Sequence, residues 1–180
     1  MIDSKVEYQS NPLVLPIKMI WVAILMMVIF ETATSWISER WMLYVDPMGE
    51  ESCIPEYSVY YQNKAFDGVI EKGRIYTFIS EGLEPFFGDG LRIGKYVTGV
   101  EGDVVTITKD GLFINNNKVR SGINTMVAQK LGKQPSDFYT TYQLKKGQVF
   151  VTGTAARSFD SRYWGPISSN RIEAEAIPLW

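Results

Sequence analysis

The side chains best suited to chemistry in this 180-residue chain concentrate near its C-terminal end. There the sequence runs Gly-Thr-Ala-Ala-Arg-Ser-Phe-Asp-Ser-Arg-Tyr-Trp-Gly-Pro-Ile over Gly153–Ile167, and the chain contains no histidine. Ser52, in a Ser-Cys-Ile-Pro step, and Lys95, in the segment Gly94–Asp103, are the other candidates. This combination predicts serine chemistry that uses a base other than imidazole.

A serine hydroxyl is a poor nucleophile until a neighbouring base takes its proton, and a neutral lysine amine can be that base. A lysine becomes neutral where an apolar site penalises its charged form. Lys95 lies among Ile93, Tyr96 and Val97 on a predicted strand, which fits such a site. Taken alone, these residues also fit a plainer interpretation, with Lys95 on an exposed strand edge and Ser52 in a turn.

The three motifs together resemble the type I signal peptidases, which are membrane-anchored Ser/Lys proteases. Ser52 to Pro55 resembles the family's Ser-Met-x-Pro step, with cysteine in place of methionine. Lys95 to Asp103 resembles the lysine, the short strand and the glycine-aspartate turn of that family. The resemblance implies that Ser52 is the nucleophile, on a strand near the membrane surface, and that Lys95 is the general base.

The C-terminal box carries the supporting roles that the same resemblance implies. Ser158 matches the hydroxyl that hydrogen-bonds and orients the lysine amine. Asp160 and Arg162 match a charged pair that braces the site. Glu50 departs from the family, which commonly has a hydroxyl two residues before the nucleophile, and a carboxylate there would repel an oxyanion. The second oxyanion-hole donor is therefore open.

The form of this box and a small insertion look most like the conjugative-transfer branch, the TraF-type peptidases. This resemblance implies a bacterial inner-membrane protein with its catalytic domain in the periplasm. Its expected substrate is a membrane-inserted pilin or preprotein, which it cleaves and, in some members of the branch, circularises. A general signal peptidase I, a catalytically silent scaffold for pilus assembly and a soluble self-cleaving Ser/Lys repressor are the alternatives.

Composition excludes several other classes of protein. The net charge is -2 and the basic residues are scattered, so nucleic acid is not an expected partner. Without histidine, and with Cys53 as the single cysteine, the chain offers no His or thiolate metal site, and we expect no metal or cofactor. Cys53 is a conceivable nucleophile, but on a strand its side chain would point away from that of Ser52.

The N-terminal segment predicts a membrane anchor. Met19–Phe30 is uninterrupted and apolar, although it would span only about 18 Å of a hydrocarbon core of about 30 Å. The flanking residues from Leu13, with Lys18 reaching towards the interface, make a full span feasible. Aromatic residues follow where interfacial ones usually lie, namely Trp36, Trp41 and Tyr44. A cleaved secretory signal is the competing interpretation.

The rest of the chain predicts a mainly β, antiparallel domain of signal-peptidase type. We place the N-terminus, anchor and interfacial segment at 1–44 and the peptidase domain at 45–180, with a small helical insertion at 121–142. The expected strands are Ser58–Gln62, Arg74–Ser80, Tyr96–Val100, Val104–Lys109, Leu112–Ile114, Gln148–Val151 and Arg171–Ile177. Asp110-Gly111 predicts a hairpin, and Asn124 predicts the N-cap of a helix that ends at Leu131. Glu84–Gly88 is either a loop that dips into the bilayer or a set of buried aromatics.

Overall fold

The computed structural model describes residues 14–46, 48–49 and 52–180, with side chains from residue 16 onward. Its contacts divide the chain into two units, residues 1–40 and 41–180. In the first unit, α1 (Val14–Arg40) is a single helix whose side chains are exposed along nearly all of its described length. Its segment Pro16–Arg40 is long and apolar enough to cross a membrane, a property that a signal sequence would share.

The second unit is built from eleven described strands and a few short helices. The strands are β1 (Trp41–Val45), β2 (Val59–Asn63), β3 (Ile75–Ile79), β4 (Arg92–Gly99), β5 (Val104–Thr108), β6 (Gly111–Ile114), β7 (Asn117–Arg120), β8 (Thr140–Gln143), β9 (Gln148–Thr152), β10 (Ile167–Ser168) and β11 (Ile172–Pro178). The helices are α2 (Thr125–Lys130), α3 (Ser161–Trp164) and two 3₁₀ turns, Pro135–Phe138 and Ser169–Arg171. The predicted mainly β fold with an N-terminal apolar helix and few small helices is confirmed.

The strands form two antiparallel sheets. The larger sheet has the order β1-β2-β11-β3-β4-β9-β10, and the smaller one has the order β7-β6-β5-β8. The larger sheet covers a core that includes Phe78, Val97 and Val151, and the smaller sheet packs around Val105, Leu112 and Phe150. Because β4 and β9 are neighbours in the larger sheet, residues that follow β9 come close to those on β4.

Local sequence explains the meander of the smaller sheet. Asp110-Gly111 joins β5 to β6 as predicted, and Ile107 pairs with Leu112 across the turn. Asn115 and Asn116 form the next turn with φ of 50° and 67°, a conformation that asparagine adopts more readily than most residues. Sequence patterning missed β7, which is exposed at its first two residues, because an edge strand of this kind lacks apolar alternation.

Two segments differ from the sequence-based description. The sequence predicts that residues 41–44 are interfacial, yet they form β1 together with Val45 and pair with β2 in register from Trp41↔Asn63 to Val45↔Val59. In the expected insertion, Asn124 caps α2 by accepting from the N–H groups of Met126 and Val127, as predicted. The final residues of that insertion belong to β8, which pairs with β5. The domain boundaries themselves stay a prediction.

Candidate active site

Ser52 lies in a loop between β1 and β2, and the expectation that it lies on a strand is wrong. Its hydroxyl accepts a hydrogen bond from the N–H of Ile54 at 3.0 Å. Such a local bond competes with a strand ladder, and Pro55, which has no N–H, prevents the ladder from continuing. Ser52 is 3% exposed and therefore almost wholly enclosed. The argument that a strand would turn Cys53 away from Ser52 no longer applies.

The loop that carries Ser52 is fastened to the C-terminal box through backbone groups. The carbonyl oxygen of Cys53 accepts from the N–H groups of Thr154 at 2.9 Å and Ala155 at 3.2 Å. The Thr154 hydroxyl also donates to the carboxylate of Glu56 at 2.6 Å. Sequence motifs placed Ser52 and the box in one site, and these bonds are the direct contacts between them.

Gly153 stands where the loop and the box approach most closely. A side-chain carbon at this position would overlap the carbonyl oxygen of Cys53 and the hydroxyl of Ser158, and would lie 2.8 Å from Ser158 Cβ. Only glycine allows this approach, so the requirement for glycine is steric rather than conformational. Sequence alone does not reveal why glycine is required at position 153, because the contact involves Cys53, which lies a hundred positions earlier in the chain.

Lys95 occupies an inward-facing position on β4. Buried and half-buried residues alternate along this strand, which places Lys95 on the same face as Ile93 and Val97. Its side chain is fully buried, and Nζ donates to the hydroxyl of Ser158 at 3.0 Å. Nζ also lies 5.7 Å from the centre of the Phe87 ring. Among the described residues, no carboxylate forms an ion pair with this amine.

The nucleophile candidate is not hydrogen-bonded to the base candidate in this conformation. Ser52 Oγ donates to Asp46 Oδ2 at 2.7 Å, and the described hydrogen bonds include none between Ser52 and Lys95. Asp46 Oδ1 accepts from the N–H of Met48 at 2.9 Å, which fixes the carboxylate. Sequence reasoning missed Asp46. Its position before a proline indicates a turn, but nothing local shows that its carboxylate faces Ser52.

Asp160 and Arg162 form a buried ion pair beneath the box. Arg162 donates from Nε and Nη2 to the two carboxylate oxygens, both at 2.8 Å. Burial alone would raise the pKa of Asp160, but the hydrogen bonds and charge of Arg162, with the charge of Lys95 and the N–H of Gly153, lower it. Burial would lower the pKa of Arg162, but its bonds and attraction to Asp160 raise it. Both groups therefore stay charged.

This ion pair holds several parts of the site at once. Asp160 accepts from the N–H of Gly153 at 3.0 Å. Arg162 donates to the carbonyl oxygens of Ser121 and Gly122 at 3.0 and 3.1 Å, which ties the insertion to the box. It also donates to the carbonyl oxygen of Ser158 at 3.3 Å. These contacts fit the bracing role that the resemblance implied.

Two cavities adjoin Ser52. The first, which we call the strand cavity, has a volume of about 300 Å³ and is walled mainly by strand side chains such as Tyr60, Ile75 and Ile93. Burial, and next the charge of Asp46, raise the pKa of Tyr60, so this phenol stays neutral, while Asp46 and Arg92 are the ionisable acid and base in the lining. The second, the helix cavity, has a volume of about 630 Å³ and is walled by α2 and the box.

The aromatic residues of Glu84–Gly88 separate the two cavities. Phe87 lines both of them, and Phe86 lines the helix cavity. Phe86 stacks on Phe159 with ring centres 4.3 Å apart, and Phe87 lies 6.2 Å from the same ring. Phe86 and Phe87 are half-buried against the core, so they only partly match the buried-aromatic interpretation, and contact with a bilayer stays a prediction.

Of the two residues considered for the oxyanion hole, the described residues include Ser52 but not Glu50. Glu50, the residue that departs from the family, lies outside the described residues. The N–H of Ser52 donates to the carbonyl oxygen of Gly49 at 3.0 Å, so in this conformation it already has an acceptor. Within residues 14–46, 48–49 and 52–180, no group of three or more Cys, Asp or Glu side chains is placed to hold a metal ion.

Comparisons with known proteins bear on the whole chain. Among solved structures, a signal peptidase I from Enterococcus faecalis V583 is similar at 23% identity. The match covers 58% of this chain and 94% of that one, with a TM-score of 0.36. Comparison with curated proteins gives no match.

A family model described as "Signal peptidase, peptidase S26" matches residues 13–180, which include Ser52, Lys95 and the whole C-terminal box. Members of this family are serine peptidases of the signal peptidase I type. Because the match extends over nearly the whole chain, this protein belongs to the signal peptidase family, peptidase S26.

Proposed function

We propose that this protein is a membrane-anchored Ser/Lys endopeptidase that cleaves an exported pilin precursor in conjugative pilus assembly. The observation that carries the proposal is the fully buried Lys95, whose amine is held by Ser158. Among the described residues no carboxylate forms an ion pair with this amine, and a lysine amine that has lost its proton can accept one from a serine hydroxyl. Ser52 is the hydroxyl that the family resemblance pairs with it.

Catalysis begins when the Ser52 hydroxyl leaves Asp46 and donates to Lys95 Nζ. Ser52 Oγ then attacks the scissile carbonyl carbon while Lys95 takes the hydroxyl proton. The amide C–N bond breaks, Lys95 returns that proton to the departing amine, and the acyl group stays on Ser52. Ser158 keeps the amine pointed at the reacting atoms throughout, since its hydroxyl accepts one N–H of Lys95.

Release of the acyl group determines whether the product is linear or circular. Water attack on the ester, with Lys95 again accepting the proton, gives a shortened pilin. Attack by the amino terminus of the same pilin gives a ring and the same regenerated Ser52. Both routes use the same residues, so circularisation remains part of the proposal rather than a separate activity.

The setting of the site supports a membrane-inserted substrate. α1 is apolar enough to serve as the anchor in the bacterial inner membrane, which would leave the peptidase domain in the periplasm. The strand cavity is small and largely apolar, so it suits a small side chain such as alanine next to the cleaved bond. The assignment to pilin rather than to preproteins in general rests on the resemblance of the C-terminal box.

One observation favours a second candidate, a catalytically silent scaffold for pilus assembly. The Ser52 hydroxyl is engaged by Asp46 at 2.7 Å rather than by Lys95. If that bond persists with substrate bound, the fold would bind pilin without cutting it. The soluble repressor alternative has no use for α1, and the solubility of the intact chain without detergent would reveal it.

The test is the intact mass of the pilin from cells that carry wild-type protein, Ser52→Ala or Cys53→Ala. We expect precursor to persist with Ser52→Ala and to be processed with wild type and Cys53→Ala, because Cys53 lines both cavities but is not the nucleophile. A product lighter by one water than the trimmed chain would show ring closure. Identical pilin masses with wild type and Ser52→Ala would contradict the enzymatic function and favour the scaffold.

A further inference from the structure

The helix cavity differs from the strand cavity in its charge. Its described lining contains two cationic side chains, Lys130 and Arg157, and no carboxylate. The remaining lining is apolar or small, apart from the hydroxyls of Ser52 and Ser158. A positive cavity beside the nucleophile is notable in a chain whose net charge is -2.

No described carboxylate neutralises either cation. Both side chains are exposed, and within the described residues neither forms an ion pair with a carboxylate. Lys72, Arg74, Arg92 and Arg162, by contrast, each pair with an acid. The positive charge of the helix cavity is therefore available to a ligand.

Lys130 is positioned by the same aromatic stack that borders the catalytic residues. Its Nζ lies 4.1 Å from the centre of the Phe86 ring, a cation–π contact. Phe86 in turn stacks on Phe159, the residue after Ser158. This chain of contacts fixes the ammonium at the rim of the cavity that contains Ser52.

Arg157 is positioned by sequence. Arg157 immediately precedes Ser158, whose hydroxyl accepts a hydrogen bond from Lys95. The N–H of Ser158 donates to the carbonyl oxygen of Ala155 at 3.0 Å, and the backbone of Arg157 lies within the turn that this bond closes. The two cations thus belong to two different segments, α2 and the box, that meet at one cavity.

We infer that the helix cavity is an acid-selective subsite, in which Lys130 and Arg157 bind a glutamate or aspartate side chain of the substrate near the cleaved bond. The apolar floor, which includes Met126 and Phe86, would contact the aliphatic part of that side chain while the carboxylate reaches the rim. This inference rests on the proposed function, because it assigns a substrate preference to the same site.

The expected preference is moderate because both cations are exposed. Ion pairs at exposed positions contribute up to about 1 kcal/mol each, and their strength falls with salt. Two such pairs correspond to a preference for a glutamate-containing over a glutamine-containing peptide of about tenfold at low ionic strength. We expect the difference in KM rather than in kcat, because the contact exists before the reaction begins.

The experiment uses the full chain in detergent and fluorogenic alanine-based peptides. Each peptide carries a single Glu or Gln at one of three positions on either side of a central Ala-Ala bond. Wild type is compared with the double variant Lys130→Gln/Arg157→Gln. The matched control is Lys133→Gln, an exposed lysine that also lies on an aromatic ring, 5.2 Å from the centre of Phe138, but does not line the cavity.

Binding is measured in parallel on Ser52→Ala protein by fluorescence anisotropy with the same peptides. This readout does not require turnover, so it tests the subsite even if no peptide is cleaved. Absence of cleavage by wild type would count against the proposed function, whereas equal binding of Glu and Gln peptides would count against the subsite alone.

We expect a preference for Glu at one or two adjacent positions on one side of the bond. It should disappear in the double variant, persist in Lys133→Gln and weaken in 0.5 M salt, and Lys133→Gln should cleave uncharged peptides as wild type does. Equal treatment of Glu and Gln peptides at every position would overturn the inference. A preference that survives in the double variant would also overturn it. If vesicles of anionic lipid, but not of neutral lipid, abolish binding of the Glu peptide, the cations bind a membrane surface instead and the inference is wrong.

Discussion

Gly153→Ala should disable the site without removing any catalytic side chain. The new Cβ would overlap the carbonyl oxygen of Cys53 and the hydroxyl of Ser158, and would lie 2.8 Å from Ser158 Cβ, where ordinary contacts are 3.4–4 Å. Relief of these overlaps requires a displacement on the order of 1 Å in the loop of Ser52 or in the box. A misplacement of that size at a catalytic group lowers the rate about 100-fold.

The effect on stability should be small enough for the protein to stay folded. Insertion of one methyl group into a packed site costs about 1–3 kcal/mol in the free energy of unfolding. The N–H of Gly153 also donates to Asp160, and that bond would be strained but not removed. The variant should therefore fold while losing most of its activity.

The assay combines initial rates of peptide or pilin cleavage with thermal unfolding followed by circular dichroism. Gly88→Ala is the matched control, because a Cβ at Gly88 would meet nothing within 4 Å and its backbone does not need a positive φ. We expect the control to retain wild-type activity. A folded Gly153→Ala protein with a rate within threefold of wild type would refute the reasoning, since the loop and the box would then not need their close approach.

Three further substitutions address the same site. Ser158→Ala should lower kcat about 10- to 100-fold with little change in KM, since Lys95 loses the hydroxyl that orients it; a kcat within twofold of wild type would exclude that role. Asp46→Asn replaces a charged acceptor of the Ser52 hydroxyl with a neutral one and should raise kcat/KM about fivefold, whereas a tenfold decrease would show that the carboxylate assists the attack. Asp160 has a folded pKa below its unfolded value, so its contribution to stability is present above about pH 4 and is lost as the pH falls through the folded pKa. Melting temperatures between pH 7 and pH 3 should therefore fall more steeply for wild type than for Asp160→Asn, which should be less stable at pH 7 by about 3–5 kcal/mol because a buried arginine is left unpaired; parallel curves would contradict this.

The elements that sequence predicted well are those with local causes. The apolar residues around Lys95 predicted that it lies on a strand, and the structure places it inward on Arg92–Gly99, which begins four residues before the expected Tyr96–Val100. Asp110-Gly111 and the asparagines after β6 determine their turns through their own backbone preferences. Asn124 caps α2 with its own side chain. In each case the residues that form the element also carry the signal.

The elements that sequence missed depend on partners far along the chain. β1 and β8 are short and exposed for much of their length, and they become strands because β2 and β5 offer them a pairing edge. The contact between Gly153 and Cys53 likewise joins residues separated by most of the domain. No periodicity or turn motif encodes such contacts, so only the folded chain reveals them.

The two proposed catalytic groups therefore differ in how firmly they are held. Lys95 lies on a strand that is flanked by β3 and β9, its side chain is fully buried, and its amine is bonded to Ser158. Ser52 lies on a loop whose conformation depends on the bonds of Cys53 to the box and on its own bond to Asp46. Formation of the proposed dyad therefore requires the Ser52 hydroxyl to leave Asp46. On the proposed mechanism, a substrate that fills the cavities beside Ser52 and displaces that hydroxyl from Asp46 would free it to donate to Lys95.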